Sequence, residues 1–196
     1  MELTKEKTAE VVINNFVKRI SLEHFNNFKA DAKLCALEDG RDLSTDHWVS
    51  SVLLTTDKAS INFRVHFSSI IGKLLLADAF GEKPSEFSHL EVQDFLKEYC
   101  NVVVGQIKTF LSAGNEEGET AKEYLPEITP SYDQYGVHNS KKTRPNEEWW
   151  KIIWNDQELV MCSEVNCGDN FNGETIKSLS EQGIISVTHD GKVRPI

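Results

Sequence analysis

Asp94-Phe95-Leu96-Lys97-Glu98-Tyr99-Cys100-Asn101-Val102-Val103-Val104-Gly105-Gln106-Ile107-Lys108 is the stretch that decides how this chain reads. Wound as an α-helix at about 100° per residue, it puts Asp94, Glu98, Asn101 and Gly105 within an arc of roughly 60°. A carboxylate, a carboxamide and a gap in side-chain bulk thus share one face. The opposite face carries Val92, Leu96, Tyr99, Cys100, Val103, Ile107, Phe110 and Leu111, an apolar stripe of the kind that anchors a helix in a core. Ser88-His89-Leu90-Glu91 is a capping box, with Ser88 as N-cap and Glu91 reaching back to it. Gly114 suits a left-handed C-cap. The helix so bounded spans about 25 residues, where about 11–12 is usual. A helix of that length crosses a whole sheet.

Outward from this helix, the clearest strand is Ser60–Phe67. There Ile61, Phe63, Val65 and Phe67 alternate with Ser60, Asn62, Arg64 and His66. With Trp48–Thr55 and a turn near Asp57-Lys58 it makes a hairpin with one buried face. His66 falls on the polar face and reads as a solvated or cross-strand residue, not a ligand. Residues 8–30 read as a first helix, with Val12, Phe16, Ile20 and Phe28 on its apolar side. Residues 36–46 are polar and loop-like. Ser68 caps a short apolar helix through about Ala79, which Gly81–Pro84 breaks. A Gly- and Glu-rich loop at 114–120 leads to Leu125-Pro126-Glu127-Ile128-Thr129-Pro130, and 131–148 is polar and loop-like. Trp149–Trp154 is a strand with Trp150, Ile152 and Trp154 on one face. Asn155–Glu158 turns the chain and Leu159–Val165 returns it. Hairpins with helices inserted between them predict an α+β fold, an antiparallel sheet with long helices packed on one face. Residues 1–168 form the main domain. Residues 169–196 form a small extension, a helix over 172–182 followed by a β-hairpin whose turn is Asp190-Gly191.

The chain has 196 residues, 39% hydrophobic, and ten Phe, enough for one sizeable core. Its formal net charge of −10 argues against unspecific binding to nucleic acid or anionic membrane. The basic cluster Lys141, Lys142 and Arg144 is too small to reverse that. No apolar run reaches the ~18 residues of a membrane span. Residues 1–7 lack a signal peptide's apolar region, so a cytoplasmic protein is expected. Cys35, Cys100, Cys162 and Cys167 form no Cys-x-x-Cys pair and read as reduced, mostly buried thiols. A zinc site from Cys162, Cys167 and a distant histidine would lack the usual spacing. No P-loop, no Gly-x-Gly-x-x-Gly and no nucleophile–base spacing stands out.

Glu-x-x-Asn alone is a weak signal, and the chain contains an internal control. Glu23-His24-Phe25-Asn26 repeats it, with Arg19 where Asp94 stands and Ala30 where Gly105 stands. Only the second copy carries the whole Asp-x-x-x-Glu-x-x-Asn-x-x-x-Gly-x-x-Lys pattern. That copy resembles the motif helix of CheX, in the CheC/CheX/FliY group of chemotaxis phosphatases. The order of helix, hairpin, short apolar helix, motif helix, proline and late strand pair is similar to CheX over about residues 8–166. Two departures stand out. The family's proline lies slightly nearer the motif than Pro126 or Pro130 does here, and the chain is longer at 131–148 and at its C-terminus. CheC proteins carry two motif helices. The short helix at 68–80 has neither Glu nor Asn, so a single site is expected, as in CheX.

The resemblance implies dephosphorylation of a CheY-type response-regulator receiver at its aspartyl phosphate. It assigns Glu98 and Asn101 as catalytic, Glu98 pairing with the receiver's lysine and Asn101 orienting the attacking water. Asp94, Gly105 and Lys108 would contact the partner. It implies no cofactor of the chain's own, since Mg²⁺ would be held by the receiver, and a homodimer joined at sheet edges. The chemistry agrees with the residue types. A carboxamide both donates and accepts hydrogen bonds without titrating, and an acyl phosphate held with Mg²⁺ needs little beyond an aligned water. The alternative reading is a non-catalytic CheX-like module that binds a receiver or a chemotaxis scaffold. A flagellar-switch component is the third, disfavoured because no receiver-binding N-terminal peptide or C-terminal switch domain is recognisable.

Overall fold

The computed structural model describes residues 5–29, 31–37, 48–113, 121–130, 146–168, 185–187 and 193–195. Its elements run α1 (Lys5–Asn26), β1 (Lys33–Leu37), β2 (Trp48–Thr55), β3 (Ala59–Phe67), α2 (Ser69–Phe80), a 3-10 turn (Pro84–Glu86), α3 (His89–Ala113), β4 (Lys122–Glu123), β5 (Glu127–Pro130), β6 (Glu147–Trp154), β7 (Gln157–Cys167), β8 (Ile185–Val187) and β9 (Val193–Pro195). Seven strands form one sheet, in order β1-β6-β7-β3-β2-β4, with β5 also paired to β2. Every pairing is antiparallel. The small β8–β9 pair stands apart from that sheet.

The register shows why the helices lie where they do. Phe63 stands opposite Val52 on β2 and Ser163 on β7, and Val65 opposite Ser50 and Met161. Trp150 stands opposite Met161. These residues point to one face, together with Ile61, Phe67, Leu159 and Ile152, and all are buried. Helices α1 and α3 cover that face. Ser50 Oγ donates to the Leu96 carbonyl (3.4 Å), Tyr99 Oη to the Ser21 carbonyl (2.7 Å) and Trp150 Nε1 to Ser21 Oγ (3.2 Å). Each of these buried polar groups thus gains a partner across a helix–sheet or helix–helix seam, where an unpaired one would cost about 1–3 kcal/mol. Phe16 stacks on Phe110 with ring centres 3.7 Å apart, and Phe28 meets Phe95. The order of these contacts makes α1 and α3 antiparallel neighbours.

Four expectations need correction. First, the first helix ends at Asn26, not near 30, because Asn26 Oδ1 accepts the Ala32 N–H (3.2 Å) and the backbone turns at Asp31, φ 70°. Second, residues 33–37 are a strand on β6, so the polar loop does not begin at 36. Third, β6 starts at Glu147, within the segment read as a loop, and β4 and β5 add short strands to β2. Fourth, the second face of the hairpin is not open throughout. Arg64 is 8% exposed and His66 is 2% exposed, and the His66 ring lies 5.0 Å from that of Trp149. His66 is therefore a buried side chain, not a solvated one. The Gly114 cap, the loops at 114–120 and 131–145, and the helix expected over 172–182 lie outside the described residues.

Candidate functional site

Helix α3 is held stiffly at its start. The Ser88 N–H donates to Glu91 Oε2 (2.7 Å), and the Glu91 N–H donates to Ser88 Oγ (3.2 Å), the reciprocal box read from the sequence. The Ser88 backbone N–H and hydroxyl, both beside the carboxylate, hold Glu91 below its ordinary pKa. All eight residues of the expected apolar stripe are buried, from Val92 to Leu111. Tyr99 and Cys100 are both sealed in. Burial pushes the phenol well above its ordinary range and the thiol up to about 12. Neither serves as a nucleophile near neutral pH.

With that stripe turned inward, the polar face must turn outward. Asp94 and Glu98 are exposed, and Asn101, Gly105 and Lys108 are partly exposed. An added Cβ at Gly105 would meet nothing within 4 Å, so the notch beside Asn101 opens outward. Asp94 pairs with Lys97 at 3.6 Å, and Lys108 reaches Glu123 on β4 at 3.7 Å. Among the described residues, neither Glu98 nor Asn101 makes a side-chain hydrogen bond or ion pair. The structure thus places Glu98, Asn101 and Gly105 together on one outer face, with Lys108 tied to the sheet edge.

The control copy on α1 behaves differently. Glu23 is engaged by Arg19 (3.4 Å), and Asn26 Oδ1 accepts the Ala32 N–H beyond the helix end. Sequence reasoning passed over the residue between them. His24 stands on the side of α1 that meets α3, with its ring 5.5 Å from Tyr99 and 5.1 Å from Phe28. Burial lowers its pKa, and the nearby Glu98 charge partly opposes that. The spacing Phe16, Ile20, His24, Phe28 marks one helical face and was the signal available for it. Among the described residues no cluster of His, Cys, Asp and Glu could hold a metal ion. No described helix is long and apolar enough to cross a membrane.

No protein-family model matches the sequence, and no curated protein is detectably similar to it. Solved structures are similar in fold. The chemotaxis protein CheX of Vibrio vulnificus superposes with a TM-score of 0.58 at 12% identity, covering 79% of this chain and 99% of that one. This chain has the CheC/CheX fold. A CheC-like chemotactic protein of Shewanella oneidensis gives 0.56 at 15% identity, covering 79% and 97%. The CheX of Borrelia burgdorferi, in a complex with CheY, BeF3 and magnesium, gives 0.56 at 11%, covering 77% and 96%. The CheX-like order of elements read over residues 8–166 thus has its counterpart in three dimensions.

Proposed function

We propose that this chain accelerates loss of phosphate from the aspartyl phosphate of a CheY-type receiver. The observation that carries the reading is the pair Glu98 and Asn101, one helical turn apart on a rigid rod. Neither side chain makes a hydrogen bond or ion pair with the described residues, and both are open to a visitor beside the Gly105 notch. The Glu23 and Asn26 copy is instead engaged by its own chain.

In this reading Glu98 takes the receiver's lysine in a charge-assisted contact that sets the register of docking. Asn101 then reaches the acyl phosphate and holds a water in line with phosphorus, its carbonyl oxygen accepting from that water. Attack transfers the phosphoryl group to water and returns the receiver's carboxylate. Mg²⁺ and the lysine, both the receiver's own, neutralise the charge that develops. Positioning a nucleophile in this way lowers a barrier by several kcal/mol. No covalent intermediate forms on this chain, and no metal of its own takes part. Such a protein works in the cytoplasm, where receivers are phosphorylated. The outer strands β1 and β4–β5 are the sheet edges at which a second copy would join. The Borrelia CheX–CheY complex supports the choice of partner for this fold.

The test is phosphate decay measured on each receiver domain of the source organism. One of them should lose phosphate at least about tenfold faster with the protein present, a barrier change of roughly 1.4 kcal/mol. Glu98→Ala should weaken binding and rate together. Binding of a phosphorylated receiver without faster decay would instead favour the non-catalytic module.

A further inference from the structure

Four phenylalanines from separate parts of the chain meet near the start of α3. Phe80 is the last residue of α2, Phe87 closes the 3-10 turn, Phe95 lies in the first half of α3, and Phe28 stands two residues past α1. Ring centres are 6.1 Å apart for Phe80 and Phe87, 6.1 Å for Phe80 and Phe95, and 5.2 Å for Phe95 and Phe28. Phe87 is buried, and Phe95 and Phe28 pack against the main core as half-buried side chains, but Phe80 is 62% exposed. Its backbone is well held. The Gly81 N–H donates to the Ala77 carbonyl (2.9 Å) in a left-handed cap, φ 74°, and the Glu82 N–H donates to the same carbonyl (3.2 Å). A capped helix end thus presents a large aromatic ring to water, where most of its apolar surface adds nothing to the fold. An anchor already held in place loses little freedom when a partner covers it.

We propose that this aromatic strip is the apolar half of the receiver's docking surface, with Phe80 as its anchor: Glu98 takes the receiver's lysine while Phe80 and Phe95 seat an apolar side chain of the receiver beside it. The inference rests on the receiver reading and adds to it a determinant of affinity outside the motif. Two observations choose this occupant. The strip is continuous with the Glu98 face, because Phe95 and Glu98 are three residues apart on α3 and so neighbours on its surface. The charge along it is also one-sided. Within residues 80–98, Glu82, Glu86, Glu91, Asp94 and Glu98 are exposed, against Lys83 and Lys97, and Lys97 lies 3.6 Å from Asp94. A second copy docking by two-fold symmetry would bring these acids against themselves. A partner that offers a cation next to an apolar side chain matches both the acids and the rings. Aromatic anchors inside a polar rim carry a large share of the affinity of such interfaces.

The experiment measures the affinity of a beryllofluoride- and Mg²⁺-loaded receiver for each variant, and the rate of phosphate loss from the phosphorylated receiver at saturation. Phe80→Ala and Phe80→Gln should each lose at least about fivefold in affinity, with the saturated rate unchanged. Phe80→Trp, which keeps an aromatic face, should bind within about twofold of wild type. Leu53→Ala, at a 38% exposed leucine on β2 of the sheet, away from the strip, should bind as wild type does. Urea unfolding of each variant verifies that the fold is intact. Wild-type affinity in folded Phe80→Ala and Phe80→Gln overturns the role of the strip while leaving the receiver reading standing. A dimer that Phe80→Ala converts to monomer, with receiver affinity unchanged, overturns it too, because the strip then serves a second copy. Failure of every receiver to bind wild type removes the receiver reading and this inference with it.

Discussion

At Gly105 and at Gly72 the same missing side chain has opposite meanings. An added Cβ at Gly72 would run into the Val92 side chain, so the absence of bulk there lets α2 pack against α3. At Gly105 the added atom would meet nothing. Glycine in a helix interior costs about 1 kcal/mol relative to alanine, so Gly105 is a local cost with no return in packing. Its return in this account lies in the close approach of another protein. Gly105→Ala should raise stability by roughly 1 kcal/mol, seen as a higher melting temperature, and at the same time weaken receiver binding. Gly72→Ala should instead destabilise by about 1–3 kcal/mol, since the Val92 contact must be relieved. Improved stability with unchanged receiver affinity in Gly105→Ala would leave the notch without a function.

At the scale of elements, α3 was legible because its local signals agree. The capping box sets its start, and the stripe from Val92 to Leu111 sets its buried side. Ser88→Ala removes the side-chain acceptor for the Glu91 N–H and should cost about 1 kcal/mol, read by chemical denaturation. β3 was legible from its alternation, which names the face that α1 and α3 cover, and β2 from its place across the turn near Asp57-Lys58. β1, β4 and β5 were not. Lys33–Leu37 is a five-residue strand whose partner, β6, lies more than a hundred residues further along the chain. β4 and β5 have two and four residues and depend on β2 for their pairing. Short outer strands carry little pattern of their own, and tertiary pairing decides them. The end of α1 was misread because Phe28 continues the apolar spacing, while Asn26 Oδ1 takes the Ala32 N–H and the backbone turns at Asp31. The candidate site follows the same division. Glu98, Asn101 and Gly105 share one helix and could be read together.

At the scale of the whole molecule, the sheet separates two chemistries. One face, under α1 and α3, is the main apolar core and carries the site on its outer side. The other holds a smaller cluster of Trp149, Val160 and Cys162 beside the buried Arg64. Arg64 pairs with Glu147 and, at 3.9 Å, with Glu164. The Glu147 side chain is 10% exposed, so removing the guanidinium strands a charge with little water around it. Arg64→Ala should therefore cost about 3 kcal/mol or more, measured as a lower urea midpoint, with the α3 site chemically untouched. The exposed Lys151–Glu158 pair, 2.7 Å apart, offers a contrast. Its loss should change the same midpoint little.

The most direct measurement of the central claim takes the receiver that this protein binds, phosphorylates it, and mixes it with saturating wild type or saturating Asn101→Ala. Phosphate release is then followed in a single turnover. Saturation removes differences in affinity and isolates the water-positioning step. The account expects fast release with wild type and release at the receiver's intrinsic rate with Asn101→Ala, although both occupy the receiver equally. Equally fast release with the two proteins would contradict it.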